Sequence, residues 1–110
     1  MPDATTAKIA ALNDHARQTF GECRVVITQG VSELGKCDVA YILDKVRKYK
    51  DFTPINDPYF EHDFGSIQFG ENTIFWKIDY YDIDLQMHSP DPSDPAVTTR
   101  ILTIMLAEEY

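Results

Sequence analysis

The sequence predicts an α+β fold, with two N-terminal helices packed on a small antiparallel sheet of about three or four strands built around a central β-hairpin. Three observations predict it. Two segments in the first half repeat apolar residues at helical spacing. Two alternating runs, Phe64 to Phe69 and Thr73 to Tyr81, flank Gly70-Glu71-Asn72. Short β-branched runs stand at Arg24 to Thr28 and from Thr98 onward.

The elements follow in order. Asp3 or Thr5 can cap a first helix that places Ile9, Leu12, Ala16 and Phe20 on one stripe, and Gly21 supplies a stop. Arg24-Val25-Val26-Ile27-Thr28 suits a strand ended by Gly30, and Ser32 to Lys36 reads as a turn. A second helix from about Cys37 to Lys50 aligns Val39 or Ala40, Leu43, Val46 and Tyr49. Its other face carries Lys45, Arg47, Lys48 and Lys50, which complement the negative end of a helix dipole and so have a structural explanation. Pro54 and Pro58 then exclude further helix.

Parity fixes the faces of the hairpin. A loop of two or four residues sets Asp63, Gly65, Ile67 and Phe69 on one apolar face with Ile74, Trp76, Ile78 and Tyr80. The expected pairing sets Phe69 opposite Ile74, Ile67 opposite Trp76, Gly65 opposite Ile78 and Asp63 opposite Tyr80. The other face collects His62, Phe64, Ser66 and Gln68 with Phe75, Lys77, Asp79 and Tyr81. Residues 83–98, with Pro90, Pro92 and Pro95, form a stiff loop. Thr98 to Glu109 is ambiguous. Asp94-Pro95 and the spacing of Val97, Ile101 and Ile104 suit a helix. The β-branched content and Glu108-Glu109 favour a strand.

The 110 residues fit one domain, 1–110, and 44% apolar residues can build its core. Charge is divided unevenly. Residues 1–50 carry six acids and eight bases, whereas residues 51–110 carry twelve acids against Lys77 and Arg100. The chain is thus a mildly basic helical part (about 1–50) joined to an acidic, aromatic sheet part (about 51–110). A net charge of −8 opposes direct binding to nucleic acid or an anionic membrane. No apolar run approaches the roughly 20 residues of a membrane helix, and Met1 to Thr19 lacks a signal-peptide pattern. Cys23 and Cys37 are expected as buried small hydrophobes, with no disulfide or metal spacing.

Two constellations carry possible chemistry. On the mixed hairpin face, His62 with Asp79, and Lys77 and Tyr81 beside them, has the parts of a general base. Ser66 lacks a nucleophile elbow, and Glu61-His62-Asp63 would point to alternate sides of a strand, so neither nucleophile nor metal set is complete. Asp91 and Asp94 lack calcium-loop periodicity. No metal or other cofactor is implied. The second constellation is an acidic surface of Glu61, Asp63, Asp82, Asp84, Asp91 and Asp94 with Tyr80 and Tyr81. Carboxylates on a folded scaffold can occupy a Lys/Arg-lined groove meant for phosphates, with tyrosines as anchors.

Four blocks carry a resemblance. They are Asn56-Asp57-Pro58-Tyr59-Phe60-Glu61-His62-Asp63-Phe64-Gly65, Phe75-Trp76-Lys77-Ile78-Asp79-Tyr80-Tyr81-Asp82, Ser89-Pro90-Asp91-Pro92, and Leu102 to Tyr110. Over residues 38–110 the chain resembles the bacterial domain-of-unknown-function family numbered 3768, common on proteobacterial plasmids and prophages. Phe60 and His88 stand where its pattern has glycine, which implies an altered local turn. The resemblance implies a mobile-element setting and no assigned activity. Charge and setting together lead to the expectation of an inhibitor of a host defence complex, either anti-CRISPR or anti-restriction. Its partner would be a basic protein or ribonucleoprotein, with no direct nucleic acid or membrane contact, in the cytoplasm of a bacterium or phage host. A small hydrolase or nuclease-like enzyme using His62 and Asp79 is the alternative.

Overall fold

The computed structural model describes residues 3–110. Helix α1 (Ala4–Thr19) starts at Asp3, whose carboxylate accepts from Thr6 N at 2.7 Å. That bond satisfies one of the free N–H groups of the first turn. It ends at Phe20 rather than Gly21: Phe20 adopts φ 58°, and its N–H donates to Ala16 O at 2.7 Å. Strand β1 (Arg24–Ile27) leads into a single helical turn, α2 (Gln29–Ser32), where the sequence suggested only a turn further on. Helix α3 (Lys36–Arg47) buries Ile42 and Val46, with Tyr49 just beyond its end. The expected stripe packs on the core through Val39, Leu43, Val46 and Tyr49, joined by the fully buried Ile42, while Ala40, the alternative to Val39, is exposed.

Strands β2 (Phe64–Phe69) and β3 (Asn72–Tyr81) form the expected hairpin. Its loop is Gly70-Glu71, with Phe69 opposite Asn72, so Ile67 faces Ile74 and Gly65 faces Trp76. This is two residues from the expected register, and the shared parity keeps the residues within the two strands on the faces that the sequence predicts. Gly70 takes φ 59°, the left-handed geometry of a tight hairpin turn. The ambiguous tail is strand β4 (Thr99–Leu106), because its β-branched residues pair fully along β3. The helix-start cues at Asp94-Pro95 serve a single 3-10 turn, Pro95–Val97, capped by Asp94.

The sheet order is β1-β4-β3-β2. β3 runs antiparallel to both neighbours, but β1 pairs with β4 in parallel, so the sheet is mixed. A parallel pair needs a long crossover, and the whole of α3 and the hairpin lie between these strands. The core sits between the helices and one sheet face. Ile42, Val46, Ile74, Trp76, Leu102 and Ile104 are fully buried there, together with Val31 of α2. Each such side chain contributes roughly 1.5–3 kcal/mol. Cys23 is half-buried, Cys37 is exposed and both are free, so neither is the buried hydrophobe expected: Cys23 lies in the turn before β1, and α3 turns Ile42 inward rather than Cys37. Among the described residues, no helix is long and apolar enough to cross a membrane.

Candidate functional site

Polar residues of α1 cross the core and tie the helix to the acidic half. Asn13, fully buried, donates from Nδ2 to Tyr80 Oη at 2.7 Å and to the carbonyl of Glu61 at 2.9 Å. Its Oδ1 accepts from Arg100 Nε at 2.7 Å. Tyr80 Oη in turn donates to Glu61 Oε1 at 2.8 Å. Every member has a partner, as a buried network requires. Burial, and then Glu61, push the Tyr80 phenol up, while burial lowers Arg100.

Arg17, also buried, donates to the carbonyls of Val46 and Arg47 at 3.1 and 3.0 Å, closing the C-terminal end of α3. Its guanidinium lies 5.5 and 5.4 Å from the ring centroids of Phe52 and Trp76 and donates to Asp14 at 3.1 Å. Asp14 also receives His62: Nδ1 lies 3.0 and 3.1 Å from its two carboxylate oxygens. The imidazole stacks on Phe52, with centroids 4.0 Å apart and planes 3° from parallel. Its Nε2 is 3.6 Å from Asp57 Oδ2.

These positions correct two expectations. His62 takes φ 56° and leaves the strand before β2 begins, so it lies on the Trp76 side with Phe52 and not beside Asp79. Asp79 is on the open face, where Lys77 Nζ holds it at 2.9 Å and Tyr81 is the exposed neighbour. The set His62, Asp79, Lys77 and Tyr81 is therefore split between the two sides of the sheet. Tyr80 is 8% exposed and Glu61 directs its carboxylate inward, which removes both from the acidic surface as anchors. Asn13, Asp14 and Arg17 belong to this network although the apolar stripe of α1 gave no sign of them. Their partners are 29 or more positions away, apart from the bond between Asp14 and Arg17.

Of the remaining acids, Asp63 and Asp79 line a depression of about 300 Å³ with Tyr81 and His88. Burial, then the neighbouring Glu61, with further repulsion from Asp57 and Asp79, push the Asp63 carboxyl up to about 6. Asp82 accepts from Gln86 N at 3.0 Å and shapes the loop in which Asp84 is exposed. Asp91 accepts from Ser93 N and Oγ at 3.1 and 2.6 Å, which holds its carboxyl below the ordinary value. Asp94 caps the next turn through Ala96 N at 2.9 Å. Large apolar side chains stand exposed on two loops: Ile55, Tyr59 and Phe60 before β2, and Ile83 and Met87 after β3. Phe60 adopts φ 60° and so keeps the left-handed turn that a glycine would make.

Fold and site define a small α+β protein with one helix-covered sheet face and an acidic, aromatic sheet end. The profile of the family described as "Protein of unknown function (DUF3768)" matches residues 27–109, and the chain belongs to that family. No curated protein and no solved structure matches it.

Proposed function

We propose that the protein is an interaction module whose acidic sheet end covers a basic, nucleic-acid-binding surface of another protein. One observation carries the reading. From Asp51 to Thr98 the sole Lys or Arg is Lys77, and Asp79 already engages it at 2.9 Å. Asp82 and Asp84 thus have no cation in their own segment and flank the exposed Ile83, with Met87 exposed on the same loop, while Asp91 has only Lys8 of α1 within electrostatic reach. Single exposed apolar residues are ordinary, but several on adjoining acidic loops are the composition of a docking surface. Long-range attraction would speed encounter, and the apolar side chains would anchor the complex. The narrower form of the proposal makes the partner a host defence complex, and its support is the mobile-element setting that the resemblance implies.

The test is capture of partners from nuclease-treated host lysate, comparing the natural chain with the triple variant Asp82→Lys, Asp84→Lys, Asp91→Lys. The proposal expects a stoichiometric basic partner that salt elutes, that the variant fails to retain, and whose nucleic-acid binding the natural chain blocks. A partner retained equally by the variant and indifferent to salt would remove the electrostatic basis.

A further inference from the structure

The opposite charge is concentrated elsewhere, beside a free strand edge. A groove of about 370 Å³ runs between α3 and β2, lined by Tyr41, Lys45, Lys48, Lys50, Ser66 and Gln68 among others, with Asp51 as its acid. The helix dipole accounts for Lys45 and for Lys48, the C-cap residue, but Lys50 lies beyond the helix end. Lys48 is only loosely held: its pair with Asp44 is exposed on both sides, a contact of little energy. Lys45 lies 5.3 Å from the ring centroid of Tyr41, which is itself half-exposed.

β2 is the outermost strand on this side of the sheet. Ile78 N donates to Asp63 O at 2.8 Å, which makes the odd-numbered residues of β2 the hydrogen-bonded partners of β3. The alternate residues, Ser66 and Gln68, therefore turn their backbone N–H and C=O outward, along the floor of the groove. A strand edge of this kind accepts a further strand. Two copies pairing β2 with β2 would bring lysines against lysines, whereas a chain bearing carboxylates would meet three ammonium groups.

We propose that this groove takes an extended acidic segment of a partner protein, added as a fifth strand on β2, with its carboxylates facing Lys45, Lys48 and Lys50. Backbone pairing to Ser66 and Gln68 supplies the affinity common to any strand, and the lysines select for acid. This surface is separate from the acidic sheet end and stands whether or not that end binds anything.

The probe is a fluorescently labelled synthetic peptide of alternating glutamate and valine, titrated into the full chain by anisotropy. Saturable binding is expected, weakened about tenfold or more by Lys45→Glu with Lys48→Glu and by raised salt. Lys36→Glu at the other end of α3 should leave it unchanged. The amides of Ser66 and Gln68 should gain hydrogen-exchange protection on binding. Absence of saturable binding, binding that survives the paired reversal, or equally tight binding of a single-stranded DNA oligonucleotide would each overturn the proposal.

Discussion

His62 Nδ1 lies 3.0 Å from Asp14 Oδ1, joining residues 48 positions apart, and this contact fastens the loop before the hairpin to the first helix. Asp57 secures the same residue from its own loop, accepting from the His62 backbone N–H at 3.1 Å. A double-mutant cycle with His62→Ala and Asp14→Asn should give a coupling of about 1 kcal/mol, moderate because both side chains are partly exposed. Urea denaturation of the four proteins measures it. Additive effects would mean that stacking on Phe52 holds the imidazole without help from Asp14.

Asp63 makes a pH prediction. Its folded-state value of about 6 exceeds the ordinary 3.8, so between these values the folded protein binds more protons than the unfolded chain. Stability from this group therefore falls as pH rises from about 4 to about 6 and then levels off. Asp63→Asn should erase that fall and stabilise the protein at neutral pH by about 1 kcal/mol, a figure reduced because water reaches the carboxyl. The difference between natural and variant stability across a pH series isolates the effect from Asp91 and Glu109, whose lowered values act in the opposite sense.

Gly65 is required for space. A Cβ there would collide with the indole nitrogen of Trp76 and stand 2.7 Å from Tyr49 Cζ. Both rings are buried in the core, so neither can swing aside. Gly65→Ala should cost roughly 2 kcal/mol or more, visible as a lower denaturation midpoint. An unchanged midpoint would show that the β2 backbone can shift away from Trp76.

Phe60 exchanges backbone comfort for exposed surface. A left-handed backbone costs an L-residue about 1–2 kcal/mol, and glycine returns part of that gain through its freer unfolded chain. Phe60→Gly should raise stability by about 0.5 kcal/mol in thermal melts. Under the proposed function it should also weaken partner capture, since the ring is 43% exposed among the acidic loops. A variant that is more stable and captures its partner equally well would take Phe60 out of the docking surface.

The parts of this fold that rest on local pattern were legible in the chain. Alternation told the two faces of the hairpin apart because a change of loop by two residues preserves parity. The β-branched run at Thr99–Leu106 favoured a strand but left a helix open, and pairing along β3 decided it. What escaped was set by distant partners. Asn13 and Arg17 lie outside the stripe of Ile9, Leu12, Ala16 and Phe20, and only Tyr80, Arg100 and Val46 make them interior. His62 was assigned by strand alternation, a rule that its positive φ suspends. The parallel direction of β1 had no local signal at all, since direction is a property of the pair.

That parallel pair also orders events during synthesis. Arg24 is aligned with Ile101, which emerges 77 positions later. At translation rates of about 5–20 residues per second, β1 waits roughly 4–15 s for its partner. Meanwhile α3 and the hairpin can assemble, but the sheet has no place for β1 until β4 has left the ribosome. Closure of the sheet thus waits on β4, and the nascent chain carries β1 without its partner throughout that interval.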